Sequence, residues 1–293
     1  MLSKYYNKET KTLLLPCDFN EEIRDCTEEI EIIIFSEYLD NNNYSKFNQP
    51  VGNLPKTLTH LTFGFCFNKS ADNLPQNLTH LTFGFCFNKP VDNLPKKLTH
   101  LTFDCDFNQQ VDNLPETLTH LTFGFRFNQP VDNLPKNLIQ LFFNTSYNQF
   151  GNCFNQPVDN LPNTLTHLTF GSSFNQSVDK LPETLTHLTF DNSFRHSAFN
   201  LPKNLIELKI LNDNNDIIIP QKVKELYIYN ENILINNLPE CIEKLYILFY
   251  FGDKNSNKVE NLPSIKEIII EKKHYQKYIK IPFGTIITIK KIF

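Results

Sequence analysis

Six of the eight histidines in this 293-residue chain fall at one position of a recurring phrase: His60, His80, His100, His120, His167 and His187. Imidazole binds metal ions, exchanges protons near neutral pH and takes part in hydrogen bonds, so a column of them is the first place to look for chemistry. Gln140 and Glu207 continue the same column. A second column, two residues further on, reads Thr62, Thr82, Thr102, Thr122, Phe142, Thr169, Thr189 and Lys209. Four readings of the histidines stand open. They are exposed, strand-compatible residues copied by duplication; they form a contact face for a protein partner; they share a metal ion; or they respond to pH. No carboxylate or thiolate completes a metal set beside them. Stacked imidazoles oppose one another's protonation, which predicts titration below the free value and lost stability in acid.

Two other groups carry reactive atoms. Asp72, Asp92, Asp112, Asp132, Asp159 and Asp179 recur at one position. Stacked carboxylates attract calcium, but the glycine-rich calcium repeat is missing, and Asp ahead of Asn-Leu-Pro is explained by turn chemistry. The seven cysteines (17, 26, 66, 86, 105, 153 and 241) form no C-x-x-C and have no histidine at metal spacing. Their odd number, with no signal-peptide core in M-L-S-K-Y-Y-N-K-E-T-K, points to reduced thiols in the cytoplasm, or in the host cytoplasm if the protein is viral. Cys66 and Cys86 hold equivalent positions and are expected close together, as thiols or as a disulfide. No nucleophile or oriented carboxylate accompanies the histidines, so the expectation is no enzyme, no cofactor and no metal. A net charge of −4 leaves no basic footprint for nucleic acid. No apolar run approaches the length of about 18 residues that a membrane span needs.

The elements that position these residues are set by Leu-Pro. It falls at Leu54, Leu74, Leu94, Leu114 and Leu134, a period of 20, steps further to Leu161, and resumes at Leu181 and Leu201. A fixed period of this size is the signature of a solenoid, whose coils bury their apolar faces against their neighbours. Each coil carries L-x-x-L-x-F, as in Leu78, Leu81 and Phe83, where alternation marks a strand with one buried face. Paired prolines such as Pro90 and Pro95 deny the return path a long helix. The strands therefore stack in parallel at about 4.8 Å, with extended and turn segments between them. Gly64, Gly84, Gly124 and Gly171 follow the strand, in the slot that Asp104, Asn144 and Asp191 also hold. All three residue types tolerate left-handed backbone, so this slot is expected to turn the chain out of the sheet. The recurring Phe-Asn, as in Phe67-Asn68 and Phe87-Asn88, reads as an internal ring stack beside an asparagine ladder that satisfies backbone groups. That gives 27 phenylalanines a place without a single tryptophan.

The phrase F-N-[QK]-P-V-D-N-L-P-x-x-L-T-H-L-T-F-G closely resembles the FNIP repeat, a relative of the leucine-rich repeats. The resemblance implies a solenoid interaction module without catalytic residues. Such repeats are expanded in amoebae and in giant viruses that infect them, often behind an F-box. The short stretch before Leu13 does not hold an F-box, so a ubiquitin-ligase role would need a separate adaptor.

The expected organisation is an N-terminal extension over 1–9 and a single solenoid domain over 10–293. Regular repeats cover about 47–210, insertions fall at 36–46 and 144–153, and degenerate repeats with a cap fill 211–293. Inward positions at the far end are Val223, Leu226, Ile228; Ile242, Leu245, Ile247; Ile265, Ile268, Ile270; and Ile286, Ile289. The fold class is a leucine-rich-repeat-like solenoid with one long parallel β-sheet of about 14 short strands, about 65 Å in length. The insertion over 36–46 reads as an exposed loop. The candidate interaction face comprises the histidine column, Gln140 and Phe142 beside the second insertion, and Tyr227 and Tyr246 on the far coils, since tyrosines offer large contact area at low entropy cost. The function this supports is a non-enzymatic protein–protein interaction scaffold for a protein partner. The alternatives are a substrate-recognition subunit of a ubiquitin ligase and a self-associating structural protein, monomeric or weakly joined end to end.

Overall fold

The computed structural model describes residues 2–24, 29–36, 38–39, 43–143, 153–191, 193–211, 217–228, 238–247, 262–270 and 281–289. The chain forms two compact units, Met1–Gln156 and Pro157–Phe293. In the first, a 3₁₀ turn (Leu2–Tyr5) leads into β1 (Tyr6–Asn7), which pairs antiparallel with β2 (Thr12–Leu15). From β2 the ladder is parallel, through β3 (Ile32–Phe35), β6 (His60–Thr62), β7 (His80–Thr82), β8 (His100–Thr102), β9 (His120–Phe123) and β10 (Gln140–Phe143). The second unit is a parallel ladder of β11 (His167–Thr169), β12 (His187–Phe190), β13 (Glu207–Ile210), β14 (Glu225–Ile228), β15 (Lys244–Ile247), β16 (Glu267–Ile270) and β17 (Ile286–Ile289). Among the described residues the parallel strands number seven in each unit, and β1 is an addition to the expected 14.

The regular coils close by a recurring pair of turns. In the coil of β7, Leu78 N–H donates to Pro75 O at 3.2 Å before the strand, and Phe87 N–H donates to Gly84 O at 3.2 Å after it. Leu74, Leu78, Leu81, Phe83 and Phe87 are all buried. Two phenylalanine columns fill the interior. Phe83 and Phe87 stack at 3.7 Å within the coil; Phe83 lies 5.5 Å from Phe103, and Phe87 lies 6.0 Å from Phe107. Ring faces repeated on the regular coils, with leucine and isoleucine in their place on the far ones, give the large apolar burial that replaces a globular core.

The asparagine ladder is present. Asn68 Oδ1 accepts from Asn88 N–H, Asn88 from Asn108, and Asn108 from Asn128, at 2.9–3.1 Å. A turn that repeats without a β-ladder would leave these N–H groups unpaired; one amide side chain per coil supplies the acceptor.

Three details differ from expectation. None of the glycines after the strands is left-handed: among the described residues only Lys11 and Gly284 have positive φ. The slot is short of room instead. A Cβ on Gly84 would lie 2.2 Å from Gly64 O, and one on Gly124 would lie 2.2 Å from Asp104 O. At these two coils glycine lets the backbone rest on the coil before, whereas the coil between them accommodates Asp104 in the same slot. Second, the insertion over 36–46 contains a short antiparallel pair, β4 (Tyr38–Leu39) with β5 (Asn43–Tyr44), after which Ser45 is fully buried and accepts Cys66 N–H on its carbonyl at 3.1 Å. Third, in β17 Ile287 pairs with Ile268 and Ile289 with Ile270, so Ile286 stands in the outward slot opposite Glu267 and is exposed. Of the second insertion only Cys153 lies among the described residues; its N–H donates to Phe125 O at 2.8 Å.

Candidate functional site

The strand register places the expected columns side by side. In the first unit His60, His80, His100, His120 and Gln140 are consecutive partners, as are Thr62, Thr82, Thr102, Thr122 and Phe142. All are half-buried, Gln140 and Phe142 included. The imidazoles stack face to face, with ring centroids 4.2, 4.2 and 4.1 Å apart from His60 to His120. In the second unit His167 and His187 stack at 4.1 Å.

A third column, which the reading of the sequence did not single out, fixes these rings. Thr59, Thr79, Thr99 and Thr119 each place Oγ1 2.8–2.9 Å from Nδ1 of the following histidine. The same hydroxyls donate to carbonyls of the preceding coil at 3.1 Å, Thr79 to Thr59 O and Thr99 to Thr79 O. A hydroxyl has one proton. Once it is given to the carbonyl, Thr Oγ1 accepts from the ring, which fixes the Nδ1–H tautomer and leaves Nε2 as an acceptor. The signal was in the sequence: every ladder histidine follows a threonine, and where the histidine is lost the threonine is lost too, at Ile139-Gln140 and Ile206-Glu207.

This geometry decides between two of the chemical readings. Ring lone pairs lie in the ring plane, so stacked parallel imidazoles cannot aim two nitrogens at one ion about 2.0–2.1 Å away. Among the described residues no group of three or more His, Cys, Asp or Glu side chains is placed to hold a metal. Protonation, by contrast, is strongly opposed. His80 is pushed down to about 4, first by burial and then by His100, His60 and His120; His100 is also lowered, by burial first and then by His120 and His60. Burial outranks the mutual repulsion that spacing alone suggested.

The aspartate column is occupied by the next coil. Asn93 Nδ2 donates to Asp72 Oδ1 at 3.1 Å, Asn113 to Asp92 at 3.0 Å and Asn133 to Asp112 at 3.1 Å. In the second unit Lys180 Nζ donates to Asp159 and Asn200 Nδ2 to Asp179, both at 3.3 Å, and beyond Asp179 the outward slots pass to Phe199 and Ile218, both exposed. Cys66 and Cys86 are both free thiols.

The far coils present another surface. Glu207, Glu225, Lys244 and Glu267 follow His187 in register, beside Lys209, Tyr227, Tyr246 and Ile269. Lys209 pairs with Glu207 at 3.2 Å and Lys244 with Glu225 at 3.0 Å. Lys209 Nζ sits 4.5 Å above the Tyr227 ring, which stacks on Tyr246 at 3.8 Å. Burial, then the contact with Tyr246, raises the Tyr227 hydroxyl well above the usual range. Tyr246 is only 7% exposed and gives its hydroxyl proton to Glu225 at 3.3 Å, so it is packed within the face and offers little contact area. Tyr227 stays half-buried.

Comparison with known proteins agrees with this architecture. The sequence matches the FNIP Repeat family over residues 47–86, 87–126, 107–146 and 154–193. No curated protein matches it. Among solved structures, CroV588, a circular LRR protein, is 31% identical with a TM-score of 0.67, over 92% of this chain and 48% of its own. YopM from Yersinia enterocolitica WA-314 is 15% identical with a TM-score of 0.56, over 99% of this chain and 66% of its own, a likeness of fold alone. The chain thus spans about half the length of the first. With L-x-x-L-x-F strands, phenylalanine columns and asparagine ladders repeated coil after coil, the chain is an FNIP-repeat protein, wound as a leucine-rich-repeat-like parallel solenoid.

Proposed function

We propose that this chain is a non-enzymatic scaffold that binds a protein partner through the outward face of its strands and the segments beside them. The observation that carries the reading is the locked face of the first unit. Each histidine from His60 to His120 is held by a threonine and by at least one neighbouring ring, His80 and His100 by a ring on either side, so the surface is rigid before anything binds it. A preorganised face loses little conformational entropy on association, which leaves more of the contact energy as affinity. Specificity falls to the irregular positions. Gln140 and Phe142 break both columns, and Ile139 beside them is exposed.

The proposal extends to the cytoplasm, or the host cytoplasm for a viral protein, on the odd cysteine count and the free thiols of the described residues. Among the described residues no helix is long and apolar enough to cross a membrane.

The test is affinity purification with mass spectrometry from cells that make the protein, wild type beside Phe142→Asp, with circular dichroism to show that the variant keeps its fold. A partner captured by wild type and lost in the variant supports the reading, and a ubiquitin-ligase adaptor among such partners selects the receptor alternative. Specific capture by neither overturns it. The self-associating alternative is favoured by one observation, the exposure of Ile286 and Ile289 on β17, and sedimentation over a concentration series reads it out.

A further inference from the structure

One turn of the first unit departs from its neighbours at three consecutive positions. The coils on either side read Gly84-Phe85-Cys86 and Gly124-Phe125-Arg126; this one reads Asp104-Cys105-Asp106. The backbone runs through it in unchanged register: Asp106 N–H donates to Phe85 O at 2.9 Å, and Arg126 N–H to Cys105 O at 2.8 Å. Cys105 therefore stands where each neighbour places a phenylalanine. Those phenylalanines form a half-buried column at the C-terminal ends of the strands. Tyr44 stacks on Phe65 at 4.2 Å and Phe65 on Phe85 at 4.5 Å. The next residue in line is Cys105, which has no ring to continue the stack, so the ring column from Tyr44 stops at Phe85.

Negative charge is concentrated at the same place. Asp104 and Asp106 flank Cys105, and both carboxylates contribute to holding the Cys86 and Cys105 thiols up, behind burial as the main cause. Burial also holds the Asp104 carboxyl above its usual range. Asp106 Oδ1 is buried and receives no hydrogen bond; Arg126 Nη1 approaches it to 3.3 Å as an ion pair. That ion pair reaches Asp106, while Asp104 is influenced by its neighbour Asp106 rather than by an arginine.

We propose that this turn receives the guanidinium of an arginine on the partner protein, stacked on Phe85 above Cys105 and bonded to the Asp104 and Asp106 carboxylates. The inference rests on the reading of the chain as a protein-binding scaffold and names what the partner presents. A guanidinium is flat, so it can extend a ring stack where a thiol has interrupted it. Its N–H groups point outward in its own plane, where the flanking carboxylates can accept them. An ammonium has the charge without the plane, and a neutral ring has the plane without the donors.

The test uses the full chain with two short peptides identical except for one central Arg or Lys, followed by saturation-transfer NMR on the peptide signals. Cys105→Phe restores the residue that the neighbouring coils carry and so keeps the fold, which its melting curve verifies; Asp106→Asn removes charge at constant shape. Wild type should bind the arginine peptide about tenfold more tightly than the lysine peptide, and each variant should lose most of that preference. Equal binding of the two peptides, undiminished preference in Cys105→Phe, or no binding of the arginine peptide at millimolar concentration would each overturn the inference. Neither substitution touches Phe142. Partner capture that depends on Phe142 without arginine binding here would sink this inference alone. Arginine binding here without specific capture would sink the reading of the Phe142 face alone.

Discussion

In β7 the outward residues are His80 and Thr82; in β15 they are Lys244 and Tyr246. The inward residues barely differ: Leu81 and Phe83 in the first, Leu245 and Ile247 in the second, all essentially without exposure. The buried layer is thus common to the regular coils and the far coils, while the surface follows two rules. A neutral side chain can be copied from coil to coil, because each copy stacks on the last or bonds to it, as the histidine, threonine and asparagine columns do. A charged side chain copied across a strand spacing of about 4.8 Å meets repulsion and needs a partner at each copy, as Asn93 serves Asp72 on the return side. The far coils therefore vary their charges, giving Glu207 and Glu225 each a lysine of its own.

If the buried layer is truly common, truncating it must be costly in both places. Phe87→Ala should lose about 3–5 kcal/mol and Ile228→Ala about 2–5 kcal/mol, read as a lowered urea midpoint. A cost near zero at Ile228 would mean that the far coils do not depend on the layer that holds the regular ones.

The glycine slot sharpens the contrast. Gly84→Ala must push a methyl against Gly64 O, and should cost about 1–3 kcal/mol in thermal melting. Leu211, which follows β13 as Gly84 follows β7, already carries a side chain, so Leu211→Ala should bring no such clash. A comparable loss for Asn88→Ala, about 1–3 kcal/mol, is expected from the unpaired Asn108 N–H that it leaves, and hydrogen exchange at Asn108 should report it directly.

Acid should act through the histidine column and spare the charge-paired coils. His80 takes its proton at about 4 in the folded chain against an ordinary 6.5, so the unfolded chain binds the proton first. Stability is full above pH 6.5 and is lost as the pH falls from there towards 4. The groups that face His80 across the sheet are His60 and His100, with Thr79 beside it, and none supplies a negative charge. Because the ring is only partly buried, the expected loss is about 1 kcal/mol, a fall of about 2–4 °C in melting temperature, and His80→Gln should remove it. An equal fall in the His80→Gln protein would assign the acid response elsewhere. The smallest effect is expected at the far coils, where Glu225→Gln should cost no more than about 1 kcal/mol and less in high salt.

Much of this was readable before any coordinates. The 20-residue spacing of Leu-Pro forces a coil, and L-x-x-L-x-F names its inward side, so the parallel strands, the phenylalanine columns and the asparagine ladder all lie where the pattern puts them. The candidate face was less legible. Its columns follow from the register, but the burial of Tyr246 and the hold of Thr79 on His80 depend on neighbours that alternation along one strand does not name. The D-C-D turn was visible as a departure from the repeat. Its meaning depends on Phe85, which lies 20 residues away in sequence and one coil away in space.

By itself the sequence determined the period and, in the regular coils, the inward face and the histidine, phenylalanine and asparagine columns, because a repeat with two-residue alternation admits one register that buries leucine and phenylalanine together; at β17, where that repeat is lost, Ile286 turned outward. Only the tertiary structure decided the tautomer of the histidines, the reason for glycine after the strand and the place where the ring column stops. Each of these is set by atoms of the coil before or after, at distances of about 2–5 Å that stacking alone creates.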